Sequence, residues 1–170
     1  LSVRDLRTHF FTRAGVVKAV DGVSFDLAPG EIMGLVGESG SGKTVTGFSL
    51  LGLVDEPGRI VEGSIRLNGT ELTTLSDAEL RARRGRDISM IFQDPIATRN
   101  PMLTMGQQRR LAIDAHDRLS KRAADARAGG LLSQVGIPSA VARLRAYPHE
   151  FSGGMRQRVA IAIALLHRPA

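Results

Sequence analysis

Residues 37–44 read GESGSGKT and fit the spacing G-x-x-x-x-G-K-[ST]. They follow the apolar run IMGLV at 32–36 and precede a predicted helix at 44–53, the strand–loop–helix context that this pattern requires. The glycines let backbone N–H groups turn toward an anion, and the dipole of the following helix favours negative charge at the same place. We therefore predict a phosphate-binding loop made of Gly37, Glu38, Ser39, Gly40, Ser41, Gly42, Lys43 and Thr44.

The last two residues of this loop carry its chemistry. Lys43 is predicted to reach the β- and γ-phosphates of a nucleotide, and the Thr44 hydroxyl is predicted to hold Mg²⁺. A glycine-rich turn that fits the pattern by chance is the alternative. The apolar run before the loop and the helix after it argue against that alternative.

The composition excludes several other classes of function. The chain has 170 residues, 42% apolar and 24% charged, which is typical of a soluble globular domain. It has no cysteine, so disulfides, thiolate metal sites and cysteine nucleophiles are excluded. No apolar run approaches the roughly 20 residues of a transmembrane helix.

The net charge of +6 raises the question of nucleic-acid binding. The arginines are scattered, apart from clusters at 81–86 and 109–110. Aromatic residues make up only 4% of the chain, so a surface on which bases stack is not expected. We predict no nucleic-acid partner.

Apolar periodicity divides the chain into a β-rich first part and a helical second part. Alternating apolar residues predict strands within 1–6, 16–27 and 63–69. A short apolar run predicts a buried strand at 31–36, and residues 87–92 are predicted to form another strand. Turns are predicted at Asp21-Gly22 and Pro29-Gly30. A capping box opens a short helix at Ser76, helical composition extends over 104–135, and Ser152 precedes an amphipathic helix.

Two further segments narrow the function beyond nucleotide binding. Gln93 follows a predicted strand, and residues 151–158, FSGGMRQR, open the last helix. With the phosphate loop, they stand in the order and at the spacing of the glutamine loop and the signature motif of ABC transporter ATP-binding subunits, which the chain resembles over its whole length. The implied fold is α/β: a P-loop NTPase with an ABC ATPase core, an N-terminal antiparallel β portion and a helical subdomain.

The resemblance also implies a domain organisation. Residues 1–170 would form a single ABC ATP-binding domain that is C-terminally incomplete. Its nucleotide-binding β/α core would cover 1–95, and its helical subdomain with the signature would cover 96–160.

Roles for the remaining site residues follow from the same resemblance. Gln93 would contact Mg²⁺ or the attacking water and, with Lys43, serve catalysis. Independently, Ser152 is a good helix N-cap, and the two glycines beside it expose backbone amides at a helix start, a second anion site. In the family that site closes over ATP held by a second subunit, which implies that Ser152, Gly153, Gly154 and Met155 contact the partner's ATP. A capped core helix is the alternative.

Three short segments of the sequence are typical of one branch of the family. Residues 91–95, 100–104 and 147–150, which read IFQDP, NPMLT and YPHE, resemble the importers of dipeptides, oligopeptides and nickel. Arg99 and Phe151 each stand where a leucine is usual. The aromatic side chain that stacks on adenine is not assigned by a motif, and Phe11 is the candidate.

The resemblance thus implies an ATPase that energises solute import, with a dipeptide or oligopeptide as the solute. ATP and Mg²⁺ would be its ligands. A second ABC ATPase subunit and transmembrane permease subunits would be its direct partners, and an extracytoplasmic solute-binding protein an indirect one. It would be peripheral, at the cytoplasmic face of the cell membrane. Residues 95–105 and the helical subdomain would dock on the membrane subunits.

An expected segment is missing after Ala170. The family continues there with an apolar strand ending in Asp-Glu, so we expect residues 1–170 to be a fragment, poorly stable and nearly inactive as an ATPase alone. Alternatives are a truncated remnant that binds nucleotide without hydrolysis, and a non-transport ABC ATPase. A small-molecule kinase would share the phosphate loop but leaves the Ser-Gly-Gly signature unexplained.

Overall fold

The computed structural model describes residues 1–92 and 100–170. The chain divides into two units, Leu1–Arg81 and Ala82–Ala170. The first unit is built from β1 Ser2–Thr12, β2 Gly15–Asp26, α1 Lys43–Leu51, β3 Gly58–Leu67, β4 Thr70–Glu71 and α2 Asp77–Arg83, whose last residues enter the second unit. The predicted boundary at residue 95 lies within 93–99, outside the described residues, and stays a prediction.

The strands of the first unit form one antiparallel sheet in the order β2-β1-β3-β4. β1 is an inner strand, and its alternating apolar side chains face the core, where Val3, Leu6 and Ile65 are at most 1% exposed. The predicted N-terminal antiparallel β portion is therefore confirmed. Its alternation of apolar and polar residues is what a sheet with one buried face requires.

The turn predicted at Asp21-Gly22 is wrong, because β2 continues through it. Leu6 pairs with Val23 and Arg7 pairs with Asp21, which leaves Gly22 as an extra residue between them. Gly22 has φ +82°, a left-handed conformation that glycine adopts without a steric cost. The dipeptide thus forms a β-bulge within a strand instead of ending it.

The strands predicted at 31–36 and 87–92 do not form as ladders in the structure. Residues 31–36 form no ladder with any described strand, and Ile32 and Val36 are 98% and 90% exposed. Of residues 87–92, Ile88 alone makes a bridge, to Arg84. A strand is defined by its neighbours, and an apolar run supplies side chains for burial but no partner for its backbone.

Helices make up the second unit: α3 Met105–Asp114, α4 Lys121–Gln134, α5 Ala140–Arg143, a 3-10 turn at Pro148–Glu150, and α6 Gly153–Ala164. The predicted helical stretch 104–135 is two helices. Ser120 starts the second of them by accepting a hydrogen bond from the Ala123 amide, while Gly129 and Gly130 lie inside it. α3 begins with a capping box between Thr104 and Gln107.

The core of this unit is apolar and includes the last helix. Leu132, Phe151, Val159 and Ala162 are at most 3% exposed and belong to one cluster. The amphipathic helix predicted after Ser152 is confirmed as α6, because Val159 and Ala162 are buried in this core and Met155 and Ile163 pack against it.

Glu71 fastens the β3–β4 hairpin of the first unit. Its carboxylate accepts hydrogen bonds from the Ile65 amide at 2.9 Å, from the Thr73 hydroxyl at 2.6 Å, and from Ser64. Partial burial would raise the pKa of Glu71, but the hydrogen bonds from Ser64, Thr73 and the Ile65 amide outweigh it and lower the pKa to about 2.

Glu71→Gln is expected to destabilise the protein at neutral pH, because an amide cannot accept all of these hydrogen bonds. At ~1.4 kcal/mol for each pH unit between the unfolded pKa of 4.5 and the folded pKa, the carboxylate contributes about 3 kcal/mol. The contribution is complete above the unfolded pKa and is lost as pH falls toward 2. Urea unfolding at a series of pH values measures the difference between wild type and variant.

That difference should shrink steadily below about pH 4.5. Glu56→Gln is the control, because Glu56 is exposed and its substitution should not alter stability in this way. A Glu71→Gln protein as stable as wild type at neutral pH would contradict the assignment.

Candidate functional site

The predicted phosphate loop is an exposed turn that leads directly into α1. Gly40 and Gly42 have φ values of +80° and +87°, and the Ser41 amide donates to the Glu38 carbonyl at 3.2 Å. These positive φ values are accessible to glycine and costly for other residues. The sequence folds into this compact turn because glycine occupies both positions.

Gly42 lies against the sheet. A Cβ atom at Gly42 would lie 2.1 Å from the carbonyl oxygen of Ala19 on β2, so no larger residue fits without a backbone shift. Gly42 is also the N-cap of α1, and no side chain of the described residues caps the helix there. The first amides of the helix therefore keep their capacity to bind an anion.

Lys43 closes the loop on itself. Its Nζ donates to the carbonyl oxygens of Gly37 and Glu38 at 2.8 and 2.6 Å, and to the Ser41 hydroxyl at 3.1 Å. The ammonium group thus lies over the loop, held by oxygen atoms alone. Phosphate oxygens are acceptors of the same kind with a full negative charge, and are stronger partners than these carbonyls.

The predicted magnesium ligands are placed in part. Thr44 is exposed in the first turn of α1, whereas Gln93 lies outside the described residues. Over residues 1–92 and 100–170, no group of three or more histidine and carboxylate side chains could hold a metal ion. A hydroxyl at the start of the helix fits Mg²⁺ only if nucleotide phosphates and water supply the remaining oxygen ligands.

The predicted signature lies at the start of α6 in the second unit. Ser152 is the N-cap, with φ −64° and ψ 162°, and its hydroxyl accepts a hydrogen bond from the Met155 amide at 3.4 Å. Met155 is half-buried and packs against the helical core. The local rule for an N-cap serine explains why the helix begins here.

Gly153 and Gly154 are exposed, and a Cβ at either position would meet nothing within 4 Å. Packing inside the unit therefore does not explain these two glycines, in contrast to Gly42. Glycine at an open helix start does permit close approach of a molecule from outside the chain.

The aromatic candidate Phe11 is 39% exposed near the end of β1. The Arg59 guanidinium lies over its ring, 4.3 Å from the centroid, in a cation–π contact. The neighbouring Phe10 packs at Gly58, where a Cβ would be 2.5 Å from its ring. The ring of Phe11 is thus the more accessible of the two, but the Arg59 guanidinium already lies over one of its faces.

The sequence did not reveal three residues that form the contacts between α1 and the sheet. Ala19 contributes only a backbone oxygen, which no sequence pattern reveals. Thr8 and Ser49, whose hydroxyl oxygens are 2.8 Å apart in the interior of the first unit, are 41 residues apart in the chain. Thr8 lies at a buried position of β1. A polar residue at a buried strand position indicates a hydrogen-bond partner in the interior, and this signal could have identified Thr8 from the sequence.

Comparison with known proteins places the chain among well-described relatives. A family model described as ABC transporter matches residues 20–170. The dipeptide transport ATP-binding protein DppD of Bacillus subtilis (strain 168) is 50% identical over 99% of this chain and 51% of its own length. DppD of Escherichia coli (strain K12) is 44% identical over 99% of this chain and 52% of its own length. The chain thus spans about half the length of these relatives.

A solved structure shares the fold. The dimeric structure of MJ0796, a bacterial ABC transporter cassette, aligns with a TM-score of 0.85 and 25% identity, over 99% of this chain and 70% of that one. A second structure of MJ0796, in a post-hydrolysis state bound to ADP and Pi, aligns equally well.

Gly42→Ala is expected to destabilise the protein more than Gly40→Ala. Both positions have a positive φ, so each alanine carries a strain of about 1–2 kcal/mol. Only at Gly42 does the new methyl group also collide with a neighbour, the Ala19 oxygen, which adds about 1–3 kcal/mol. Thermal unfolding of the two variants measures the difference, and equal melting temperatures would refute the close contact.

Proposed function

Since the chain belongs to the ABC transporter family, we propose that it binds ATP and, in the complete subunit, hydrolyses it to energise the import of a dipeptide or oligopeptide. The observation that carries the proposal is the phosphate loop itself, where Gly42 packs on the sheet and directs the uncapped start of α1 outward. The names of the relatives, dipeptide transport ATP-binding proteins, support the solute class.

In this proposal the loop binds the phosphates through three kinds of donor. Amides of residues 37–44 and the α1 dipole attract the negative charge. Lys43 leaves the Gly37 and Glu38 carbonyls, to which its Nζ is now bonded, for oxygens of the β- and γ-phosphates. The Lys43 ammonium group keeps its number of hydrogen bonds in this exchange, because phosphate oxygens replace the two carbonyl oxygens as acceptors. Lys43 then stabilises the charge that develops during transfer of the γ-phosphoryl group.

Thr44 and Gln93 would hold Mg²⁺, which would neutralise negative charge on the nucleotide phosphates. Thr44 fits this role because its hydroxyl is exposed at the first turn of α1, next to Lys43. Gln93 keeps the role of contacting Mg²⁺ or the attacking water as a proposal from its position in the family pattern.

The signature acts in the proposal on the nucleotide of a second ATPase subunit. Ser152, Gly153, Gly154 and Met155 form an exposed helix start whose glycines leave space for a γ-phosphate. Two subunits would then enclose two ATP molecules, each between the phosphate loop of one and the signature of the other. MJ0796, to which the chain is similar, is dimeric in its solved structure, and this supports the pairing of two subunits.

Lys43→Ala and Gly153→Ala are expected to separate the two roles in the complete subunit. Lys43→Ala should weaken ATP binding about 10- to 100-fold, because a charged hydrogen-bond donor to phosphate is lost. Gly153→Ala should leave the fold and ATP binding intact, since its methyl group has open space within the chain, but slow hydrolysis about 100-fold by displacing the partner's nucleotide. Equilibrium ATP binding and steady-state phosphate release measure the two effects.

Matched controls are available for both variants. Lys18→Ala removes an exposed lysine of β2 whose ammonium group pairs with Asp21. Gly130→Ala adds a methyl group to another helical glycine with open space around it. Neither control should change ATP affinity or turnover. Wild-type ATP affinity in Lys43→Ala would contradict the proposed function, and wild-type turnover in Gly153→Ala would contradict the role of the signature.

Membrane permease subunits are the proposed docking partners of the helical unit. α3, α4 and α5 surround a groove of about 510 Å³. Its lining includes the basic side chains Arg110, Lys121 and Arg145, the acidic Asp125, and the apolar Val141 and Leu144. Val141 is 70% exposed, so the groove offers both charge and apolar surface to a partner. Within the described residues, no helix is long and apolar enough to cross a bilayer. In this proposal the protein would lie at the cytoplasmic face of the membrane, held there by its permease.

Arg145→Glu is expected to weaken association with the permease, because it reverses one of the basic charges of the groove. ATP affinity should be unchanged, since Arg145 is not part of the proposed nucleotide site. Co-purification of the tagged subunit with its membrane partners measures the effect. Arg118→Glu, an exposed arginine that does not line the groove, is the control, and equal recovery of permease with both variants would rule out docking in this groove.

A further inference from the structure

Two buried hydroxyl groups join α1 to β1. Thr8 and Ser49 are 0% and 2% exposed, and their Oγ atoms are 2.8 Å apart. The Ser49 hydroxyl also donates to the carbonyl oxygen of Val45 at 2.8 Å. A carbonyl oxygen can only accept, so the single Ser49 proton is used there and Thr8 must be the donor to Ser49. The contact is therefore a directed chain from Thr8 through Ser49 to Val45.

This chain constrains α1 more tightly than apolar packing would. The buried residues of α1 are Thr46, Ser49 and Leu51, so hydroxyl groups make up most of its buried face. Apolar contact is non-directional, so it specifies the rotation of a helix less sharply than a hydrogen bond does. A hydrogen bond demands a narrow range of distance and angle, so the Thr8–Ser49 bond sets the rotation of α1 on the sheet.

A second contact lies at the start of the helix. Gly42 packs on the Ala19 carbonyl of β2, and Ser49, seven residues later, lies two turns or roughly 10 Å along the same face. Thr46, between them, donates from its hydroxyl to the Gly42 carbonyl at 3.0 Å. Two contacts with two adjacent strands set the direction of the helix axis, and hence the direction in which the first amides of α1 point.

We propose that Thr8 and Ser49 are positioning residues for the phosphate loop: their buried hydrogen bond aims the start of α1 at the nucleotide phosphates. Neither side chain touches the nucleotide. The inference rests on the proposed function, because it gives the pair a share in the binding of ATP. It predicts a selective defect, in which the loss of the bond weakens ligands that engage the loop through their terminal phosphates and spares those that lack them.

The experiment compares Thr8→Val, Ser49→Ala and the double variant with wild type, all in the complete subunit. Affinities for ATP and AMP are measured by calorimetry, and melting temperatures are measured on the same samples. Each single variant should raise the Kd for ATP about five- to tenfold, because a displaced helix start makes poorer hydrogen bonds to the terminal phosphates, and should leave the Kd for AMP unchanged. The double variant should resemble the single ones, because both act through the same bond. Thr8→Ser, which keeps the hydroxyl, should restore the affinity for ATP.

Ser133→Ala is the matched control. Ser133 is also a helical serine whose hydroxyl donates to the carbonyl four residues earlier, that of Gly129 at 3.1 Å, but it lies on α4 in the second unit. Its substitution removes the same group from the same kind of bond. It should change the melting temperature slightly and the affinity for ATP not at all.

The outcomes separate this inference from the function on which it rests. If wild type binds ATP, and Thr8→Val and Ser49→Ala lower the melting temperature without weakening ATP binding, the pair is merely structural and the inference is overturned. If wild type does not bind ATP, the proposed function fails, and the inference fails with it. Should Ser49→Ala not fold, Thr8→Val decides the question alone, because valine retains the shape of threonine.

Discussion

The close packing of Gly42 against the Ala19 carbonyl is the contact on which the candidate site depends. A Cβ atom at Gly42, where α1 starts, would lie 2.1 Å from the Ala19 carbonyl oxygen on β2. Only glycine, which has no Cβ, allows the backbones to come this close. The loop, the uncapped amides and Lys43 all take their positions from that first turn. A phosphate site of this kind needs little else from the sheet, because its donors are backbone groups and one lysine.

The glycines of the two candidate anion sites are present for different reasons. Gly42 is required by contacts within the chain, whereas Gly153 and Gly154 meet nothing within 4 Å. Glycine in the first turn of a helix also lowers helix stability. Two such residues in open space are therefore best explained by a molecule that approaches from outside. The proposed shared site, with the ATP of a second subunit, supplies that molecule.

Local signals in the sequence were reliable where the physics is local. The capping box at Ser76 and the N-cap at Ser152 both form, because they involve residues three apart in the chain. Predictions that depended on pairing with a segment far away in the chain were less accurate. The runs at 31–36 and 87–92 are apolar enough for strands, yet the first has no ladder and the second a single bridge to Arg84. The dipeptide Asp21-Gly22 became a bulge because β1 pairs on both sides of it.

The sequence by itself determined the glycine-rich turn before α1, the N-cap that begins α6, the family and the division into a β-rich and a helical part. Each of these follows from residue types at short spacing, or from apolar periodicity along one helix or strand. The tertiary structure alone decided which oxygen Gly42 packs against, that Thr8 meets Ser49, and that Lys43 bonds to its own loop. Thr8 and Ser49 lie 41 residues apart, and only the pairing of strands and the docking of α1 on the sheet bring such groups together.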